Sequence, residues 1–132
     1  MSLVYLDSVI PIYLVDGIEP FRSRAEAHYR VILAAGDSTA LSELTKLECR
    51  IGPLRSRSAV GLAAFELFFA SQAVVPLTVA VYERAARVRA TYRFKLADSI
   101  HLAAAVEGGC ERYLTNDADL ARFGDIKVEI LP

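Results

Sequence analysis

Leu3-Val4-Tyr5-Leu6 is a four-residue apolar run that stops at Asp7-Ser8 and gives way to helical spacing. The same alternation recurs along the chain. Short strand-like runs stand at Ser38–Leu41, Val74–Leu77, Arg112–Thr115 and Ile126–Leu131. Between them lie helical patterns: Val9–Val15, a helix opened by Pro20 and stopped by Gly36-Asp37, Glu43–Ile51 broken by Gly52-Pro53, Ala59–Ser71, Val79–Arg93, Ala97–Val106 and the turn Ala118–Phe123. Short apolar strands alternating with helices pair in parallel and are buried on both faces. The order predicts an α/β fold, a mostly parallel central sheet flanked by helices, in one domain spanning residues 1–132. Ligand sites in such folds gather beyond the carboxyl ends of the strands.

Apolar residues make up 54% of the chain, enough for a packed core. The longest apolar stretch, Ala59 to Val75, is interrupted by Glu66 and Gln72 and reads as a buried helix followed by a strand, with no membrane span. Phe65, Leu67, Phe68 and Phe69 cover more than one face of that helix, so it is either fully buried or packed in part against another chain. The start of the chain lacks the basic and small-residue pattern of a signal peptide. Cys49 and Cys110 are isolated thiols without ligand spacing, which argues against zinc and disulfide scaffolds. The expectation is a cytoplasmic protein.

The formal net charge of −1 conceals an uneven distribution. Residues 50–95 hold eight basic side chains (Arg50, Arg55, Arg57, Arg84, Arg87, Arg89, Arg93, Lys95) against two acidic ones, Glu66 and Glu83. Acids dominate both flanks. That asymmetry fits an acidic site beside a basic surface, or simply solvated arginines on an apolar helical segment.

Four acids fall where the fold would gather them. Asp7 follows the first strand, Asp117 follows the fourth, Asp98 sits in the first turn of a helix, and Glu48 shares a helix face with Thr45. Singly, each reads as a helix cap or an exposed helix residue. Together they repel: two carboxylates at ~4 Å cost about 4 kcal/mol at an effective dielectric near 20. Protons or cations must neutralise such a cluster, and hard oxygen ligands suit Mg²⁺ or Mn²⁺.

The fragments "VYLDS", "SELTKLE", "KLADSIHLAAA" and "YLTNDADL", in that order, resemble the PIN-domain ribonucleases, most closely the VapC toxins of toxin–antitoxin pairs. The resemblance runs along nearly the whole chain. It implies a Rossmann-like three-layer sandwich and a Mg²⁺- or Mn²⁺-dependent endoribonuclease acting on RNA. It also implies a homodimer and a cognate antitoxin protein. Carried across by motif, the metal-site and catalytic acids are Asp7, Glu48, Asp98 and Asp117. Ser8, Thr45, Thr115 and Asn116 match small polar positions around them, and Asp119 is a candidate outer ligand. Pro11 and Ser99 depart mildly from the family pattern.

Arg84, Arg87, Arg89 and Arg93 are candidate phosphate contacts. His101, one turn after Asp98, reads mainly as a locally satisfied helix residue. Two other readings remain: a PIN fold used only to bind RNA or protein, and a phosphate-accepting receiver domain. The second would want paired acids after the first strand, where Asp7 has Ser8 beside it.

Overall fold

The computed structural model describes residues 2–132. Five strands, β1 (Leu3–Leu6), β2 (Ser38–Leu41), β3 (Ala73–Val74), β4 (Arg112–Thr115) and β5 (Lys127–Ile130), form one sheet in the order β3-β2-β1-β4-β5. Every pairing is parallel. Six α-helices cover it: α1 (Val9–Asp16), α2 (Phe21–Ala34), α3 (Glu43–Ser56), α4 (Ala59–Ala70), α5 (Val79–Tyr92) and α6 (Leu96–Glu107). A 3-10 turn, Ala118–Arg122, joins β4 to β5. No helix among the described residues is long and apolar enough to cross a membrane.

Side-chain alternation along β1 sorts the layers. Tyr5 faces α5 and α6, packing with Val88, Leu102 and Tyr113. Val4 and Leu6 point the other way, to Ile10 of α1 and Ile32 of α2. Leu41, Cys49, Phe65 and Phe69 join α3 and α4 to that second side, with Ile12 and Val15 of α1 against them. The result is an α/β three-layer sandwich, as the family resemblance implies, with the parallel sheet that the order of elements predicts. In α4, Phe65 and Phe69 are buried whereas Leu67 is exposed, so the helix is buried on one face only.

Two elements depart from expectation by more than one residue at an end. The third strand shrinks from Val74–Leu77 to the two-residue edge strand β3, paired through Ala40↔Ala73 and Leu41↔Val74. Val75 still donates to the Leu41 carbonyl, but Pro76 has no N–H to extend the ladder. Helix α3 runs through Gly52-Pro53 to Ser56 instead of stopping at Ile51. Pro53 forfeits one helical hydrogen bond, yet its ring is buried. The true stop comes at Arg57, at φ 55°, where the Ser58 N–H bonds the Pro53 carbonyl at 2.9 Å.

The chain leaves β1 toward β2 on one side, while β4 and β5 lie on the other. The crevice beyond β1 and β4 is therefore the topological switch point, where ligands of open α/β sheets bind.

Candidate active site

Asp7 stands at that switch point. Its own N–H still bonds the Leu114 carbonyl of β4 at 2.9 Å, so the residue is held as firmly as the strand before it. Its Oδ1 accepts the Ser8 N–H at 2.7 Å and its Oδ2 accepts the Thr115 hydroxyl at 2.6 Å. Thr115 Oγ1 in turn accepts the Asp117 N–H at 3.1 Å. One buried hydroxyl thus ties the acid after β1 to the acid after β4. Asp117 caps the 3-10 turn, taking the Asp119 N–H on Oδ1 at 3.0 Å.

Asp98 enters from the first turn of α6. Burial pushes its carboxyl up; the charges of Asp7 and Asp117 push the same way, with His101 and Lys95 opposing. Asp7 is raised too, first by burial and also by the charge of Glu48, against the pull of Thr115, His101 and the Ser8 amide. Two carboxyls held above their usual range, each sensing another acid, mark an uncompensated cluster.

Glu48 comes from α3, whose start is fixed by a reciprocal capping box between Ser42 and Thr45. Burial acts to raise its carboxyl, but hydrogen bonds from His101 and Ser8 overcome this and hold it low. Ser8 Oγ donates to Glu48 Oε1 at 2.7 Å, and His101 Nε2 donates to the same oxygen. On its other side the imidazole Nδ1 meets the Tyr5 hydroxyl at 2.7 Å, and Tyr5 is hydrogen-bonded to Ser42 at 2.8 Å. Burial lifts the Tyr5 phenol far above its usual range, so it stays protonated. Because an ionised carboxylate only accepts, Nε2 is the ring nitrogen that carries the proton shared with Glu48.

The sequence signals this wiring only weakly. His101 sits in an apolar helix and Tyr5 in a core strand, so both looked structural. The usable signal was spacing: His101 is three residues after Asp98, on the same face of α6.

Several expected residues have other partners. Thr45 serves the capping box and lies 3.4 Å from the Tyr5 hydroxyl, not against an acid. Asn116 Nδ2 donates to the Tyr13 hydroxyl at 2.7 Å. Asp119 forms a two-pronged pair with Arg122, at 2.8 and 3.1 Å. Arg84 stands 3.7 Å from Glu107 and 3.8 Å from Asp125, and Arg89 donates to the Phe94 carbonyl. Arg87 lines a cavity of about 170 Å³ with Arg84 and Asp125, and Arg93 ends α5 at φ 61°.

Among the described residues, no three His, Cys, Asp or Glu side chains form a group arranged to hold a metal ion. Glu48 is bonded to His101 and Ser8, and Asp7 to Thr115 and Ser8. The donor chemistry nevertheless fits a hydrated hard cation. Mg²⁺ keeps several waters and takes only one or two carboxylates. Asp7 and Asp98, both raised by burial and by a neighbouring acid, are carboxyls that such an ion could neutralise.

The PIN domain family profile matches residues 4–126. No curated protein matches the chain. Solved structures do. A VapBC complex from Rickettsia felis, bound to a DNA fragment from its promoter, superposes with a TM-score of 0.79 at 14% identity, covering 98% of this chain and 99% of its own. A toxin–antitoxin complex from Klebsiella pneumoniae gives 0.74 at 22% identity, covering 93% and 94%. A VapC toxin from Mycobacterium tuberculosis that cleaves the sarcin-ricin loop gives 0.73 at 14% identity, covering 94% and 98%. With the family profile spanning nearly its whole length, the chain belongs to the PIN-domain family.

Proposed function

We propose that the chain is a metal-dependent endoribonuclease that hydrolyses RNA phosphodiesters, and that it acts as the toxin of a VapBC-type toxin–antitoxin pair. The observation that carries the reading is the acid cluster at the switch point of a PIN fold, with Asp7 and Asp98 both raised. The similarity to VapBC complexes supports an antitoxin partner, and the sarcin-ricin loop cleaving neighbour supports RNA as the substrate class. A homodimer and a cytoplasmic location belong to the same proposal.

Asp7 and Asp98 would hold Mg²⁺ or Mn²⁺, with Asp117 beside them. A divalent ion held there would supply a water of lowered pKa and offset the charge of the phosphate. The chain's own groups do the rest. Thr115 and the Ser8 amide fix both oxygens of Asp7. His101 and Ser8 fix Glu48 through Oε1 alone, which leaves Oε2 without a hydrogen-bond partner among the described residues and free to orient a water. Arg87 and Arg93, not engaged as Arg84 and Arg89 are, remain the phosphate contacts.

The test is RNA cleavage by the purified protein with Mg²⁺ or Mn²⁺. Cleavage should stop in EDTA. Persistence in EDTA removes the metal from the account. A short reading frame just upstream of the gene, whose product blocks cleavage, would support the toxin role; a product that leaves cleavage untouched would count against it.

A further inference from the structure

On the side of the sheet away from α6, Tyr13, Phe21, Arg24, Asn116, Leu131 and Pro132 enclose a cavity of about 210 Å³. In the chain Asn116 lies between Thr115, which bonds Asp7, and Asp117, so the cavity shares the segment after β4 with the acid cluster. Tyr13 belongs to α1, the helix that Ser8 opens directly after Asp7.

The lining has a particular chemistry. The rings of Tyr13 and Phe21 stack, with centroids 5.2 Å apart and planes 17° from parallel. Phe21 is 40% exposed, so the outer side of this aromatic pair is open. Asn116 spends its amide nitrogen on the Tyr13 hydroxyl, which leaves its carbonyl oxygen as an acceptor. Arg24 adds a cation, and it takes no part in the ion pairs that bind Arg22 and Arg30 to Glu26.

We propose that this cavity is a nucleobase subsite: a base of single-stranded RNA stacks on Phe21, Asn116 reads its edge, and Arg24 meets a neighbouring phosphate. The inference rests on the ribonuclease reading and deepens it. An open aromatic face takes any base by stacking, and a side-chain amide gives edge discrimination. The cation and the amide favour RNA over an apolar peptide, for which only Leu131 and Pro132 offer aliphatic contact. Because Asn116 precedes Asp117, the bound base is one that flanks the scissile phosphate.

Two measurements on the full chain test this. In the first, fluorescence anisotropy with labelled single-stranded RNA hexamers in EDTA compares wild type with Phe21→Ala, Phe21→Leu and Phe21→Tyr. Loss of the ring should weaken binding about ten-fold, in both Ala and Leu, and Tyr should restore it. In the second, sequencing of fragment ends from a random RNA pool should reveal a base preference beside the cut, and Asn116→Ala should flatten it. Thermal melting guards against misfolding, and the exposed position of Phe21 makes that check simple to pass. Wild-type affinity in Phe21→Leu overturns the subsite, even if the protein cleaves RNA. Loss of a peptide partner's binding with RNA affinity unchanged overturns it in favour of a protein-docking cavity. Absence of both cleavage and RNA binding in wild type removes the ribonuclease reading, and the subsite falls with it.

Discussion

His101 and Glu48 lie 53 residues apart in the chain, yet Nε2 of the histidine donates to Oε1 of the glutamate from a position that is 1% exposed. The imidazole is anchored behind by Tyr5, and Tyr5 by Ser42 at the start of α3. The helix that carries Glu48 and the helix that carries His101 are thereby locked through the central strand.

That link predicts a graded mutational response. His101→Leu removes the donor to Glu48 and one partner of the buried Tyr5 hydroxyl, which keeps its bond to Ser42. Loss of a group that orients a site carboxylate costs about 10- to 100-fold, and it should appear in kcat more than in KM. The lost Tyr5–His101 bond should cost about 0.5–1.5 kcal/mol of stability. His101→Gln, which keeps a donor, should recover part of the rate. Equal rates in Leu and Gln variants would mean that the histidine serves packing alone.

Asp98 should trade stability against activity. Its folded-state pKa is raised, so its stabilising contribution is complete below the unfolded value near 3.9. That contribution is lost as pH rises through the raised folded value. At neutral pH in EDTA the charged carboxylate is therefore a liability, and Asp98→Asn should raise Tm. Mn²⁺ should raise the Tm of wild type by mass action and leave Asp98→Asn much less affected. Calorimetric melts with and without the ion decide it.

Glu129 gives the opposite sign. Burial alone would raise its carboxyl, but hydrogen bonds from His28 at 2.8 Å and Arg112 at 3.1 Å bring it below the usual range. Its contribution is complete above the unfolded value near 4.3. It disappears as pH falls through the lowered folded value. Arg112 also meets Asp37 at 2.6 Å, joining β4, β5 and the start of β2. Glu129→Gln should lower Tm at pH 7 and flatten its decline below about pH 4.

Arg93 offers a separable test. It holds φ 61° at the end of α5, a conformation that favours glycine. Arg93→Gly should stabilise the chain by about 0.5–1 kcal/mol while lowering the salt slope of RNA binding by about one unit. Arg89→Ala, by losing the bond to the Phe94 carbonyl, should destabilise instead.

The layered architecture was legible because periodicity and burial agree. Ser38–Leu41 and Arg112–Thr115 are strands at the boundaries their apolar runs predict. Positions of the four acids relative to strand ends were legible for the same reason. The directions in which side chains turn were not. Asn116 and Asp119 flank Asp117 in sequence, but Tyr13 and Arg122 capture them, and both partners come from tertiary or turn geometry. Pro53 misled because its ring finds a buried place that repays a broken helical bond.

The most direct measurement is the single-turnover cleavage of one single-stranded RNA in Mn²⁺, with wild type, Asp7→Asn and Asp98→Asn side by side. The predicted result is cleavage by wild type and a loss of at least about a hundred-fold in each variant, with no recovery at higher RNA concentration. Wild-type rates in both variants would contradict the assignment of the chemistry to this acid cluster.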